Sequence, residues 1–170
     1  FHHSRMYGGS WVLFSHDSAT ALLRSSKLTN NRAALPLLAL YEDERAEFSD
    51  FADFLRTWTA FHEGEAHMLR RHRMDEVFRV LTPAVVGRVV QDVVDHLISR
   101  WDGRSRVDLV AEYAKPLPAM VLTRLMGAHE SDHRMLGEWA DDLAYVFGAS
   151  DLVADDVRRA QRSAEALMSY

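Results

Sequence analysis

The chain of 170 residues is 48% hydrophobic and 26% charged, enough apolar material for one domain with a buried core and enough charge for a soluble protein. No apolar run reaches the roughly 20 residues that span a bilayer and no basic-then-apolar leader opens the chain, so no membrane is implied and a cytoplasmic protein is the default expectation. A net charge of -5 argues against nucleic acid as the main partner, and the absence of cysteine excludes disulfides, zinc-thiolate sites, iron–sulfur ligation and cysteine nucleophiles within these residues.

A loose alternation from His3 to Tyr7, a break at Gly8-Gly9 and the run Trp11-Val12-Leu13-Phe14 predict a short β-hairpin, since paired glycines supply the positive φ of a tight turn. Asp17 is the expected cap of a first helix carrying Ala19, Ala21, Leu22 and Leu23, which ends among the polar residues 25–32. From Leu35 to Thr57, Pro36, the acidic stretch 42–44 and phenylalanines at 48, 51 and 54 follow no clean period, which predicts a long loop containing a short helix.

Residues 63–78 have helix-forming composition and dense charge. Thr82-Pro83 reads as an N-cap followed by proline at the first helical position. Beyond it Val85, Val86, Val89, Val90, Val93, Val94, Leu97 and Ile98 repeat every four residues, which predicts a core helix despite the valines' β preference. Asp102-Gly103 ends it. Asp108 starts the next element, Leu109 to Met126, whose first turns Pro116 and Pro118 should distort before Gly127 stops it.

Ser131 is the expected cap of a helix reaching Gly148, and a last helix begins near Asp151 or Asp155. Its pattern still runs at Tyr170 without a C-cap, so an incomplete domain is expected. With no repeat and no linker, residues 1–170 read as a single mainly α domain, truncated at its C-terminal side: a small β-hairpin followed by about six helices.

The run His62-Glu63-Gly64-Glu65-Ala66-His67 is one residue too long for the zinc pattern H-E-x-x-H, so its histidines do not share a helix face and no metal site is expected. His67 and Arg71, four apart, do share one, and an imidazole and a guanidinium one turn apart can clamp a carboxylate. An isolated H-x-x-x-R is more often an ordinary solvated face. Its surroundings decide.

Those surroundings resemble the bacterial cytochromes P450 over most of the chain. Gly64-Glu65-Ala66-His67-Met68-Leu69-Arg70-Arg71 is similar to the start of that family's C helix, and Trp11-Val12-Leu13-Phe14 with Lys27-Leu28-Thr29-Asn30-Asn31-Arg32 to its strand, B helix and the segment after it. Leu81-Thr82-Pro83 looks like the join to the D helix, and Asp108-Leu109-Val110-Ala111-Glu112-Tyr113-Ala114, Pro116-Leu117-Pro118 and Leu125-Met126-Gly127 like the E helix. One departure is local: the Asp-Pro-Pro-Glu or Asp-Pro-Glu run common in the family before the C-helix histidine is Phe61-His62-Glu63-Gly64-Glu65-Ala66 here, which implies a different entry to that helix.

The resemblance implies the N-terminal, B to G helix part of a cytochrome P450 fold, with the I helix and the cysteine that ligates heme b outside these residues. It implies that His67 and Arg71 bind a heme propionate and that the segment 35–61 roofs a substrate pocket, with Leu37, Leu38, Tyr41 and Phe61 as candidate apolar wall residues. Residues 143–153 would join the F and G helices at the substrate entrance. Arg70, Arg73 and Arg79 would form a basic strip for an acidic ferredoxin. The whole protein would be a heme-thiolate monooxygenase oxidising a small apolar or amphipathic substrate, such as a secondary metabolite, with O2. The alternative is a catalytically inactive relative that stabilises a partner enzyme such as a glycosyltransferase. Retention of His67 and Arg71 favours the enzyme, and the absence of cysteine pulls the other way.

Overall fold

Strands β1 (His2–Ser4) and β2 (Ser10–Val12) pair antiparallel in the computed structural model, which describes residues 2–5, 9–149 and 151–170. His3 lies opposite Trp11, their rings edge-on at 5.1 Å. The expected hairpin is therefore present with shorter strands. Gly9 has the positive φ anticipated, +108°, while Tyr7 and Gly8 lie outside the described residues.

Helix α1 (His16–Leu23) is capped by Ser15, whose hydroxyl accepts from the Ser18 amide, and not by Asp17. Asp17 sits instead within the first turn, where a carboxylate complements the helix dipole. The segment expected to be mostly loop is largely helical. A 3-10 turn at Leu35–Ala39 is followed by α2 (Glu42–Arg45), a 3-10 turn at Ala46–Phe48, α3 (Ser49–Arg56) and another at Thr59–Phe61. These pieces are each too short to print a helical period on the sequence, which is why composition suggested a loop.

Helix α4 (Gly64–Phe78) buries no residue. In α5 (Pro83–Ser99) the Thr82 hydroxyl accepts from the Val85 amide at 3.3 Å, as the Thr-Pro signal predicted. The valine stripe buries less than expected: Val93 and Leu97 are sealed, the valines before them are half-buried, and Ile98 is exposed.

The distortion ahead of Pro116 takes a definite form. Pro116 has no N–H for the Glu112 carbonyl, and the Lys115 amide reaches back five residues to the Val110 carbonyl at 2.9 Å, so Val110–Ala114 winds as a π-turn. Helix α6 (Pro116–Leu125) then runs on to Gly127, at φ +74°. The Asp108 carboxylate accepts from the Val110 and Ala111 amides, the capping role expected of it.

Ser131 does not cap the next helix. It lies inside a 3-10 turn (Glu130–Asp132) capped by His129, after which α7 (His133–Gly148) begins. Helix α8 (Ala154–Ser169) completes the chain.

The chain falls into two compact units, Phe1–Arg73 with Asp142–Tyr170, and Met74–Asp141. In the first, Phe48, Phe51, Ala52 and Leu55 are sealed against Val157, Ala160 and Ala164 of α8 and Leu143 and Val146 of α7. The 3,4 spacing of the α8 residues puts all three on one face, which is what a helix lying on a core requires. Arg158 adds a paired link at the rim, donating to both Glu47 oxygens at 2.6 and 2.8 Å, and Arg159 and Ser163 donate to Asp142. In the second unit Val93, Leu97 and Met120 form a smaller core with Tyr113, Leu117 and Val121 packed on it.

Candidate functional site

The start of α4 is assembled from three stretches of the first unit. Trp58 and Phe61 flank a 3-10 turn and stack almost parallel, centroids 6.0 Å apart, and Phe147 tilts against both at 5.7 and 5.5 Å. Phe54 continues the ladder toward Phe51. This aromatic packing sets the path of the backbone from 57 to 61, and its carbonyls meet the basic side chains of α4. The Thr59 carbonyl lies 3.1 Å from Nδ1 of His67, and the Thr57 carbonyl accepts from Arg70 at 3.3 Å.

A carbonyl can only accept, so the Thr59 contact places a proton on His67 Nδ1. Nε2 is the nitrogen left over. It is the nitrogen that can face a ligand. His67 is half-buried and Arg71, one turn on, is exposed. Between them Met68 and Leu69 lie open to solvent. A fixed imidazole and a guanidinium one turn apart on one helix face are the donor set for a carboxylate.

The helix begins unusually. Gly64 has φ +57°, the left-handed region, where proline cannot go and a Cβ is strained even though nothing lies within 4 Å of it. The start of this helix, where the sequence departs from the family's common run, is thus built on a left-handed glycine. Glu63 precedes it and works with both ends. Its carbonyl accepts from the His67 amide at 3.4 Å, and its carboxylate accepts from the Asn30 amide at 2.6 Å. Hydrogen bonds from the Thr29 hydroxyl and the Asn30 amide hold the Glu63 carboxyl below its ordinary value. The Asn30 side chain in turn donates to the Ala60 carbonyl. His62 brings a buried Nε2 that has no hydrogen-bond partner among the described residues.

The four proposed wall residues divide. Leu37 and Phe61 belong to the core, 7% and 8% exposed, whereas Leu38 and Tyr41 are 50% and 80% exposed. Leu37 and Phe61 share one buried cluster, to which Leu38 and Tyr41 do not belong. Arg45 fixes their stretch instead, donating to the Leu38 and Leu40 carbonyls. Arg70 and Arg73 lie on α4 in the first unit, and Arg79 is an exposed residue of the second. Asn30 and Glu63 were not singled out as site residues. Nothing local marks them, because the contact closes a loop of 33 residues.

Among the described residues no helix is long and apolar enough to cross a membrane. No group of three or more His, Asp or Glu side chains among them is placed to hold a metal ion.

No family model matches the chain. Curated relatives do. The chain is 27% identical over 165 residues to cytochrome P450 105A3 of Streptomyces carbophilus, covering 91% of this chain and 38% of that protein. It is 28% identical over 130 residues to a putative cytochrome P450 133B1 of Xylella fastidiosa, covering 76% and 32%. It is 34% identical over 85 residues to a methyl-branched lipid omega-hydroxylase of Mycobacterium bovis, covering 46% and 20%. The chain spans well under half the length of the curated relatives it matches, from 14% to 38%.

Proposed function

We propose, from the premise that this chain is part of a bacterial cytochrome P450, that α4 anchors one edge of a heme b through its propionate and that the whole protein is a monooxygenase. The observation that carries this reading is the pairing of His67, locked at Nδ1 to the Thr59 carbonyl, with Arg71 one turn along an otherwise unburied helix. The residues present suit the group. A propionate takes a charged hydrogen bond from His67 Nε2 and a forked pair from Arg71, one turn apart on the same helix face. When bound, the heme supplies thiolate-ligated iron for oxygen activation, its cysteine contributed by residues outside this chain.

His67 and Arg71 hold and orient, and they carry no chemistry at iron. The 35–61 segment is proposed to cover the distal side, with Leu38 and Tyr41 the wall residues open to a ligand and Leu37 and Phe61 supporting them from the core. The substrate class is a small apolar or amphipathic molecule, such as a secondary metabolite. The whole 1–170 stretch is read as part of one P450 domain in a cytoplasmic protein.

The carbon monoxide spectrum of the reduced whole protein tests the reading. A thiolate-type band is the expected result, and an empty spectrum would move the protein to the role of a heme-free auxiliary that stabilises a partner enzyme. Electron delivery by an acidic ferredoxin at Arg70, Arg73 and Arg79 is a further part of the proposal. Its reduction rate should fall steeply as salt rises from low to physiological strength, where the Debye length shrinks to about 8 Å. Reduction kinetics indifferent to salt would remove the docking role.

A further inference from the structure

We infer that Glu63 is a positioning residue for the propionate pair, acting through His67 by tying the start of α4 to the segment after α1. The inference rests on the heme-anchoring reading above and extends it to a residue that touches no ligand. Three observations converge on Glu63. Its carboxylate accepts the Asn30 amide at 2.6 Å across 33 residues, while its own carbonyl accepts the His67 amide at 3.4 Å. Asn30 closes the clasp by donating to the Ala60 carbonyl, next to the Thr59 carbonyl that holds His67 Nδ1. Gly64, at φ +57°, turns the chain between the clasp and the helix.

Physically, the first turn of a helix is its weakest part, because the first amides have no partner within the helix. His67 sits in that turn. With α4 burying no residue, tertiary packing does little to hold its orientation. The clasp replaces packing. A charged acceptor bonded to the Asn30 amide and the Thr29 hydroxyl on one side, and a main-chain acceptor for His67 on the other, set both the helix origin and the carbonyl that fixes the imidazole. Loss of the carboxylate frees the 28–31 segment and lets the 59–63 backbone shift, so that His67 Nε2 no longer meets its carboxylate partner in register.

A double-mutant cycle with heme transfer to excess apomyoglobin as the readout tests this in the whole holoprotein. Glu63→Ala is expected to speed heme loss by about tenfold, the scale of one lost hydrogen bond to a charged group. In a His67→Ala background the same change should have almost no effect, since the group it positions is gone. Hydrogen exchange at residues 67–70, the first amides bonded within the helix, should rise in Glu63→Ala while exchange in α8 stays the same. Should Glu63→Ala not fold, Glu63→Gln, which keeps the size and one acceptor oxygen, carries the same cycle with a smaller factor. An equal acceleration in both backgrounds would reduce Glu63 to a general structural role and overturn the inference. If His67→Ala speeds heme loss and neither Glu63 variant does, the positioning role alone fails. If His67→Ala itself leaves heme loss unchanged, the anchoring reading falls and takes this inference with it.

Discussion

Arg71→Ala in the holoprotein should speed heme loss by about tenfold to a hundredfold, as expected when a forked, charge-assisted contact to a carboxylate is removed. Arg71 lies exposed on a helix that buries nothing, so its truncation opens no cavity and should lower the stability of the heme-free protein by no more than the loss of a surface contact, about 1 kcal/mol or less. That separation between heme retention and fold stability is the signature of a ligand contact. Arg71→Lys preserves the charge but not the planar fork, and should fall between wild type and alanine. Arg73→Ala provides the control, as a nearby cation two positions further along α4, about half a turn around the helix. Heme transfer to apomyoglobin measures all three. Equal rates for Arg71→Ala and wild type would end the propionate assignment.

What could be read from the residues alone was the chemistry that is local. Thr82-Pro83 announced α5 because cap and proline act within one turn, and the two prolines at 116 and 118 announced a distortion that the structure realises as a π-turn. Caps failed where several candidates competed. Ser15, not Asp17, takes the Ser18 amide, and Ser131 lies within a 3-10 turn that precedes α7, its own amide taken by His129. The hydrophobic pattern overstated burial in α5, because a stripe of valines says which face is apolar and not how much of it finds a neighbour.

The site was half legible. His67 and Arg71 follow from helical spacing, and the resemblance gave them a role. What orients His67 did not follow, since the Thr59 carbonyl and the Asn30–Glu63 clasp depend on tertiary closure across 8 and 33 residues. Leu37 and Leu38 show the same limit. The two leucines are adjacent and chemically identical, yet a 3-10 turn sends the first into the core at 7% exposure and leaves the second at 50%. Side-chain direction in a turn without a repeating period cannot be taken from composition.

Phe51→Ala separates the scaffold from the site most sharply. The Phe51 side chain is 1% exposed within the cluster that joins α3 to α7 and α8, and its removal should cost about 3–5 kcal/mol through lost burial and the cavity left behind. A protein of ordinary stability has only about 5–15 kcal/mol to lose, so the melting temperature should drop by roughly 10 °C or more in calorimetry or circular dichroism. Phe51 stacks on Phe54, and Phe54 meets Trp58 edge-on, so the damage also reaches the turn whose carbonyls hold His67 and Arg70. Heme loss should therefore accelerate in Phe51→Ala too, but together with the fall in stability. Arg71→Ala accelerates it with at most the small fall of a lost surface contact. A Phe51→Ala protein that melted like wild type would mean that this cluster is not the core on which the start of α4 is built.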